Sequence, residues 1–576
     1  VYLFQYEREK GLYSLVRCTK FGRAKTIISK LVLLFALASV VSVLFVFCNF
    51  TINTFLYGGT DLSVNIQSIS EFRNCTLKVT AGQFLLLFVL AKVIGIFVIS
   101  SFFALVFIVF SSSAMMYLTG LGTVGTEYLF YTLIGQNSFL NLLKYINIFY
   151  ILDGGEFFGS YLNLNIFSNA VTSVPIVFAV FGTVFLLCTM FSCTLFCKCN
   201  QQKTAGIFSR LFEKFKSKFY TLNGSTSIFK GEFYKFTVQN KMAVMIVLLV
   251  LFAIISSFGT VRYPYSENSD ADYKAYMEYL EGDITLEKEN YILEQQNYFN
   301  NLQQRMGEIA ENSELSENAK QAMSKSIENI LNSKGIAFER VIEQYNRLLE
   351  LDKKGIDAKF IDENIYKSFV SSKTREWNDF ALLCLVLVIG VPYVFSVEYK
   401  NGMINLIRTT ENGKTKLFFG KIVVECIYLL IAFTALYVPY FVRFINTYGA
   451  NSLNTPLVCI FENVQETSFS VINAVVVNLI CYFLLATAVT FVITAVSIFT
   501  RSSMFIMVIS TVLVIIPLLA LYLIENARIG YWVVNSHIIA IVMTCLLSIL
   551  IAIVTLEISK FKFTETRIWR RINAEA

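Results

Sequence analysis

Long apolar runs alternate with short polar segments along most of the chain. An α-helix crosses about 30 Å of hydrocarbon in roughly 20 residues, and each run approaches or exceeds that length. We therefore expect an all-α polytopic membrane protein. The runs predict ten spans: Leu31–Phe50, Ala81–Phe110, Ala114–Ile134, Pro175–Cys197, Met242–Phe258, Asp379–Val397, Ile422–Val442, Phe469–Thr500, Ser503–Ile524 and Ile538–Leu556.

Residues 261–377 interrupt this pattern with a long polar segment that holds 22 acidic and 15 basic residues. Apolar residues there recur every three to four positions, as at Leu302 and Met306, and Gly335 and Gly355 separate the helical patterns. The segment predicts a small antiparallel helical bundle or an elongated helical stalk. The alternation of spans places it on the exterior side. There it would contact a substrate or a partner, or would serve as a structural cap, and the sequence favours neither role.

A polar stretch next to an apolar run occurs twice, from Tyr6 to Leu31 and from Val397 to Ile422. The two copies align without a gap at a constant separation of 391 residues. The match indicates an internal repeat and therefore two repeated transmembrane halves. The identical pairs are Glu7/Glu398, Gly11/Gly402, Leu15/Leu406, Arg17/Arg408, Thr19/Thr410, Gly22/Gly413, Lys25/Lys416 and Lys30/Lys421.

Each copy, which we call an elbow, predicts a short helix on the membrane surface, such as Gly402–Arg408, followed by a glycine that ends it. The basic residues in both elbows place them on the cytoplasmic side. Val1 aligns with the end of a span, so we expect the first half to be truncated at its N-terminus. The predicted divisions are a first half (1–197), a cytoplasmic basic connector (198–241), a first span of the second half (242–260), the exterior helical domain (261–377), the remaining second half (378–557) and a cytoplasmic tail (558–576).

The order Glu-x-x-x-Gly, Leu-x-Arg-x-Thr and Gly-Arg/Lys-x-Lys before an apolar span resembles the cytoplasmic coupling helix of ABC-2-type ABC transporter permeases. The resemblance implies a permease subunit whose two halves are fused and whose elbows contact ABC ATPase subunits. It implies these coupling residues: Glu7, Gly11, Arg17, Thr19, Gly22, Lys25, Glu398, Gly402, Arg408, Thr410, Gly413 and Lys416.

ATP binding is expected in a partner chain. The segment around Gly413 lacks the phosphate-binding pattern, because Arg408 stands where that loop needs a glycine. ATP and Mg²⁺ would therefore act through the separate ATPase, and no cofactor, metal, catalytic residue or nucleic acid is expected for this chain. Its other expected partners are membrane lipid and an unknown transported substrate. Its expected location is the plasma membrane, in a bacterium.

Few ionisable residues lie within the apolar runs, and such residues are functional candidates because they are costly in a membrane. They are Lys92, Glu127 and Glu425. Their scarcity favours export of bulky amphipathic or peptide-like cargo over ions. The alternative is a non-transporting membrane protein that transmits ATPase motion to the exterior helical domain.

Overall fold

The computed structural model shows an all-α polytopic membrane protein, as the sequence predicts. Four short strands are described, and they form two antiparallel pairs: β1 (Asn163–Ile166) with β2 (Asn169–Thr172), and β3 (Gly282–Asp283) with β4 (Lys359–Phe360). The structure describes the chain except for residues 1–2, 5–6, 8–11, 60, 74, 111–112, 135–142, 144–145, 160–162, 167–168, 199–226, 241, 262, 266–268, 312–315, 401–402, 462–463, 465–468, 501–502, 525 and 565–576.

The first compact unit comprises Val1–Thr226 and Val238–Lys241. Its long helix α3 (Ala81–Val109) packs against both α2 (Ala24–Tyr57) and α7 (Ser173–Lys198), which suits their largely apolar surfaces. One core cluster surrounds Phe4 and Phe196, and a second surrounds Phe84 at the other end of α3. Its helices are α1 (Tyr13–Cys18), α2 (Ala24–Tyr57), α3 (Ala81–Val109), α4 (Ser113–Leu133), α5 (Ile148–Leu152), α6 (Gly154–Gly159) and α7 (Ser173–Lys198).

The second compact unit comprises Ser227–Thr237 and Met242–Ala576. The sequence places Ile228–Tyr234 in the connector. In the structure this helix packs on the long helix α18, Thr415–Tyr448. The helices outside the polar segment are α8 (Ile228–Tyr234), α9 (Met242–Thr260), α15 (Lys373–Gly390), α16 (Pro392–Lys400), α17 (Met403–Ile407), α18 (Thr415–Tyr448), α19 (Val471–Thr500), α20 (Ser503–Leu523), α21 (Ile529–Val534) and α22 (Ile538–Thr564).

The polar segment at 261–377, which we call the helical insertion, forms helices that pack around a shared core. Phe299 and Phe338 stack there, with ring centroids 5.2 Å apart. Cys459, from the second unit's α18–α19 loop, completes this core. The helices are α10 (Asp270–Leu280), α11 (Leu286–Glu311), α12 (Glu317–Ile330), α13 (Ile336–Lys353) and α14 (Glu363–Val370).

The two glycines that the sequence assigns to helix ends in the insertion behave differently. Gly355 follows α13 with a φ of +76°, a conformation that glycine adopts without strain. Gly335 is not a break, and that expectation is wrong. It lies in a π-helical turn, Leu331–Gly335, which joins α12 directly to α13. Apolar contacts of Leu331 with the insertion core keep the helical backbone continuous there.

The two halves repeat in structure as well as in sequence. Helices α2 and α18 both have 34 residues, and each ends at a glycine of positive φ, Gly58 at +88° and Gly449 at +81°. Helices α4 and α20 both have 21 residues. In these two pairs the helices therefore begin and end at corresponding positions.

Among the described residues, eight helical segments are long and apolar enough to cross a membrane, and nine if the bent pair Ile228–Gln239 and Met242–Phe258 is counted as one span. The sequence predicts ten. A helix is present at every predicted span, but α4 is not among the eight. One span is broken between α15 and α16, where Pro392 has no N–H to continue the helical hydrogen bonds.

Candidate functional site

Both elbows contain a short helix followed by the same hydrogen-bonded turn. After α1, the Thr19 hydroxyl donates to the carbonyl oxygen of Val16 at 2.7 Å. After α17, Thr410 donates to Ile407 at the same distance. A threonine at this position caps the helix end with its own side chain. A short helix is therefore present in each copy, as the sequence predicts, and its position on the membrane surface stays a prediction.

Gly22 and Gly413 close the two turns because no side chain fits at either position. The N–H of each donates to the carbonyl oxygen of the preceding threonine at 3.1 Å. A Cβ on Gly22 would lie 1.6 Å from the Val16 oxygen, and one on Gly413 would lie 1.7 Å from the Ile407 oxygen. Only a glycine permits this close approach of backbone to backbone.

The residue that leads into the following long helix also has the same backbone geometry in both copies. Arg23 has φ and ψ of −108° and −94°, and Lys414 has −108° and −96°. These angles lie outside the helical and extended regions. Two chain segments 391 residues apart thus adopt one unusual conformation, which indicates that the elbow geometry is specified by its own sequence.

The arginine of each elbow binds its own transmembrane half. Arg17 donates to the carbonyl oxygen of Cys197, at the end of α7, at 2.9 Å. Arg408 lies 5.1 Å from the ring centroid of Phe563, at the end of α22, and its guanidinium donates to Tyr399 at 3.4 Å. The arginines therefore connect each elbow to the last helix of the same half.

The remaining predicted coupling residues are divided between exposed and undescribed positions. Lys25 and Lys416 are exposed, and the Lys25 ammonium lies 3.9 Å from the centroid of the Phe21 ring. Gly11 and Gly402 lie outside the described residues. Their expected role stays a prediction.

The matched glutamate and the last matched lysine of each elbow form an ion pair. Glu7 and Lys30 lie 2.8 Å apart in the first half, and Glu398 and Lys421 lie 3.2 Å apart in the second. The first residue of each pair lies at the start of the elbow and the second lies at its end. The ion pair therefore joins the two ends of the elbow.

In the second half this ion pair belongs to a cluster of four charged residues, which we call the buried charge cluster: Glu232, Lys235, Glu398 and Lys421. Lys235 lies at its edge, with 35% of the side chain exposed. The Lys421 ammonium donates to Glu232 at 2.7 Å and to the carbonyl oxygen of Val394 at 2.6 Å. Lys235 lies 2.5 Å from Glu232 and 3.1 Å from Glu398. Two positive and two negative charges balance, and together they connect α8, α16 and α18.

A charged residue in a polar cytoplasmic elbow is expected to be solvated, and for Glu398 this expectation is wrong, because only 4% of the residue is exposed. Lys421 is only 1% exposed. Removing one member of a buried ion pair costs about 3–5 kcal/mol, since it leaves an uncompensated charge. Glu398 therefore stabilises the elbow through its buried ion pair with Lys421. Charge reversal at Glu398 would disturb folding as well as any docking of a partner.

Sequence reasoning missed Glu232 and did not connect the acids to the lysines. One available signal was that an acid and a lysine 23 residues apart recur in both copies, as Glu7 with Lys30 and Glu398 with Lys421. Another was Glu232, which lies among aromatic residues in the amphipathic stretch IFKGEFYKF. An acid surrounded by apolar residues needs a basic partner when it is buried.

Each elbow helix exposes apolar side chains at equivalent positions. Leu15 is 67% exposed and its counterpart Leu406 is 68% exposed. One turn earlier, Leu12 is 43% exposed and its counterpart Met403 is 52% exposed. Together with the neighbouring lysines, these residues give each elbow helix an apolar outer face with a basic rim.

Two of the three candidate intramembrane charges bind the ends of the short helix α5. The N–H of Ile148 donates to the Glu127 carboxylate at 3.2 Å, and the Lys92 ammonium donates to the carbonyl oxygen of Leu152. An acid at a helix N-terminus and a base at its C-terminus complement the helix dipole. These contacts explain both charges by a structural role.

Glu425 is fully buried on α18. Its carboxylate accepts a hydrogen bond from Thr494 on α19 at 2.7 Å. Its other oxygen has no hydrogen-bond partner among the described residues. Its role as an intramembrane polar site stays a prediction.

In the insertion, Asp362 caps α14 and lies in a buried polar network. Its Oδ1 accepts from the N–H groups of Asn364 at 3.0 Å and Ile365 at 3.3 Å, and from the Tyr263 hydroxyl at 3.4 Å. Burial raises the pKa of the Asp362 carboxyl to about 6, although these hydrogen bonds oppose the rise. Desolvation of the charged form is the physical cause.

The described residues contain no group of three or more His, Cys, Asp or Glu side chains placed to hold a metal ion. Three cysteines lie close together in the sequence. Cys193 and Cys197 are on α7, and Cys199 lies outside the described residues.

No protein-family model, no curated protein and no solved structure matches this chain. The similarity that bears on this site is therefore the one between the two elbows themselves.

Proposed function

We propose that the chain is the membrane subunit of an ATP-driven transporter, coupled through its two elbows to separate ATPase subunits. The observation that supports this most is the repeated elbow: one unusual turn, closed by a glycine that nothing can replace, occurs at Gly22 and again at Gly413. A dimeric motor needs two equivalent contact points. Two equivalent elbows would meet that need, in the plasma membrane of a bacterium.

In this proposal the outer face of each elbow helix touches the ATPase. Leu15 and Leu406 would be the apolar anchors, surrounded by basic residues that orient the partner. ATP and Mg²⁺ would bind in the partner chain. Arg408 would keep α17 fixed to α16 and α22, and Glu398 would join α16 to α18, so that a displacement of α17 moves those helices too.

The buried charge cluster would make this transmission stiff. Lys421 holds α8 through Glu232, and it holds α16 through Glu398 and the Val394 carbonyl. Buried ion pairs and hydrogen bonds are strong in a low-dielectric interior, so these contacts would hold α8, α16 and α18 together, although Glu398 Oε2 has no hydrogen-bond partner among the described residues. The cargo would be bulky and amphipathic or peptide-like, and it would leave the cell.

A second candidate function is transmission of ATPase motion to the helical insertion without transport. The short connection between α14 of the insertion and the apolar helix α15 favours this candidate. Only Ser371 and Ser372 separate α14 from α15, and Arg375 on α15 donates back to the Phe369 carbonyl oxygen on α14 at 2.8 Å. A movement of α15 would therefore carry α14 with it.

The test is ATP hydrolysis by the purified complex when each apolar anchor is truncated. Leu406→Ala, alone and with Leu15→Ala, should lower stimulation of the ATPase about tenfold or more, since truncating an interface anchor costs about 2 kcal/mol. Leu286→Ala is the control, because Leu286 on the insertion is also strongly exposed, at 79% against 68% for Leu406. Unchanged stimulation in the double variant would contradict the proposed contact. Cargo flux into vesicles would then separate the transporter from the second candidate.

A further inference from the structure

A small cleft lies inside the second unit, between α15, α18 and α19, next to the insertion. Its volume is about 50 Å³. A water molecule needs roughly 10–15 Å³ of such space, so the cleft has room for a small polar group but not for a bulky body. The residues that decide its chemistry are Arg375, Glu376, Asp379, Tyr437, Tyr440 and Asn478.

The charges in the cleft are two carboxylates and one guanidinium. The guanidinium of Arg375 already donates to the Ser368 and Phe369 carbonyl oxygens and to the Tyr440 hydroxyl. Asp379 accepts no hydrogen bond from any described residue. The cleft is therefore net negative when both carboxyl groups are ionised, and the Arg375 guanidinium is already engaged by the protein.

The atoms in the cleft that lack partners among the described residues are mainly hydrogen-bond acceptors. They are Glu376 Oε1, Asn478 Oδ1 and the Tyr437 hydroxyl, which can both donate and accept. Glu376 and Asn478 are both more than nine-tenths buried, with exposures of 6% and 8%. A buried acceptor without a donor costs about 1–3 kcal/mol, and more when it is charged. What the cleft lacks is a group that donates several hydrogen bonds.

The other oxygen of Glu376 is held in place. It accepts from the Tyr482 hydroxyl at 2.9 Å and from the N–H of Gly530 at 3.1 Å. A Cβ on Gly530 would lie 2.2 Å from Glu376 Oε1, so the backbone of α21 packs directly against that oxygen. Glu376 thus has a fixed orientation, and its Oε1 accepts no hydrogen bond from the described residues.

Aromatic side chains form much of the remaining wall, among them Tyr437, Tyr440 and Phe441. Aromatic ring faces attract cations. Arg375 shows this at the site, because its guanidinium carbon lies 4.3 Å from the Tyr440 ring centroid. Aromatic walls combined with free carboxylate oxygens favour a positively charged ligand that donates hydrogen bonds.

We infer that this cleft binds a primary ammonium group. The ammonium would donate to Glu376 Oε1, to Asn478 Oδ1 and to the Asp379 carboxylate, and its organic part would lie against the aromatic wall. The volume admits the head group and a short carbon chain. A lipid head group and a free amine share this chemistry. The inference does not depend on the coupling proposed for the elbows.

Ethylammonium chloride is the probe, with the full chain in phosphatidylglycerol nanodiscs and saturation-transfer NMR as the binding measurement. Asp379→Asn or Glu376→Gln should weaken binding about tenfold or more, because hydrogen bonds to charged groups are worth about 1.5–3 kcal/mol. Asp379→Glu should retain binding. Asp357→Asn, the same change at a carboxylate that is 77% exposed on the insertion, should leave it unaltered.

Sodium acetate serves as the opposite probe, and it needs no variant. The wild type should prefer ethylammonium. A preference for acetate would overturn the inference. Ethylammonium signals that are equal in wild type, Asp379→Asn and Glu376→Gln would also overturn it, and a cleft that holds only water would give these equal signals. Nanodiscs of phosphatidylethanolamine distinguish the sources. Weaker ethylammonium binding there, in the wild type alone, identifies the lipid head group, and unchanged binding identifies a free amine.

Discussion

Gly413 tests at the level of one residue whether the elbow turn matters. In Gly413→Ala the new methyl group would meet the Ile407 carbonyl oxygen at 1.7 Å, so the turn has to open. We expect a local cost of about 1–3 kcal/mol, as for other overpacked sites. Faster hydrogen exchange in residues 403–418 would report it.

Gly22→Ala should have the same effect in the first half, because its Cβ would lie 1.6 Å from the Val16 oxygen. Gly231→Ala is the control, since a Cβ there meets nothing within 4 Å. Exchange rates that are the same in all three variants would show that the turn is not specified by its glycine.

Lys421 tests the buried charge cluster. Lys421→Met removes one of two positive charges and leaves Glu232 and Glu398 with Lys235 alone. We expect a loss of about 3–5 kcal/mol in the free energy of unfolding. Lys560→Met removes one partner of the exposed pair with Glu557, where about 0–1 kcal/mol is expected. Thermal unfolding of the purified protein in detergent compares the two, and equal midpoints would contradict the cluster's structural role.

At the scale of elements, the insertion should show a pH dependence that comes from Asp362. Its folded pKa of about 6 exceeds the ordinary value of 3.8, so its contribution to stability is complete below about pH 4. That contribution is lost as pH rises through 6, because the unfolded chain ionises more readily. The difference between the two pKa values corresponds to at most about 3 kcal/mol.

Asp362→Asn removes this titration but keeps the side-chain oxygen that caps α14. The variant should therefore be more stable than the wild type at pH 7 and about equal at pH 4. Unfolding followed by circular dichroism at both pH values gives the comparison. A stability difference that does not change between pH 4 and pH 7 would exclude Asp362 as the titrating group.

Across the whole molecule, the sequence predicted the features that depend on local pattern. Apolar runs placed a helix at every expected span, and matched residues such as Gly22 and Gly413 revealed the two halves. Long-range contacts could not be predicted in this way. Glu232 and Lys421 are 189 positions apart in the sequence, and Glu376 forms a cleft with Asn478 on a different helix. Burial of Glu398 depends on the same contacts.

The central claim is that the elbows contact an ATPase, and photo-cross-linking from position 406 in native membranes tests it most directly. A photoreactive phenylalanine analogue would replace Leu406, which is 68% exposed, and in a matched control it would replace Leu286 on the insertion. The account predicts a cross-linked product from position 406 that contains a nucleotide-binding ATPase, and no such product from position 286. Cross-links from position 406 to lipid alone, or to the same proteins as from position 286, would contradict it.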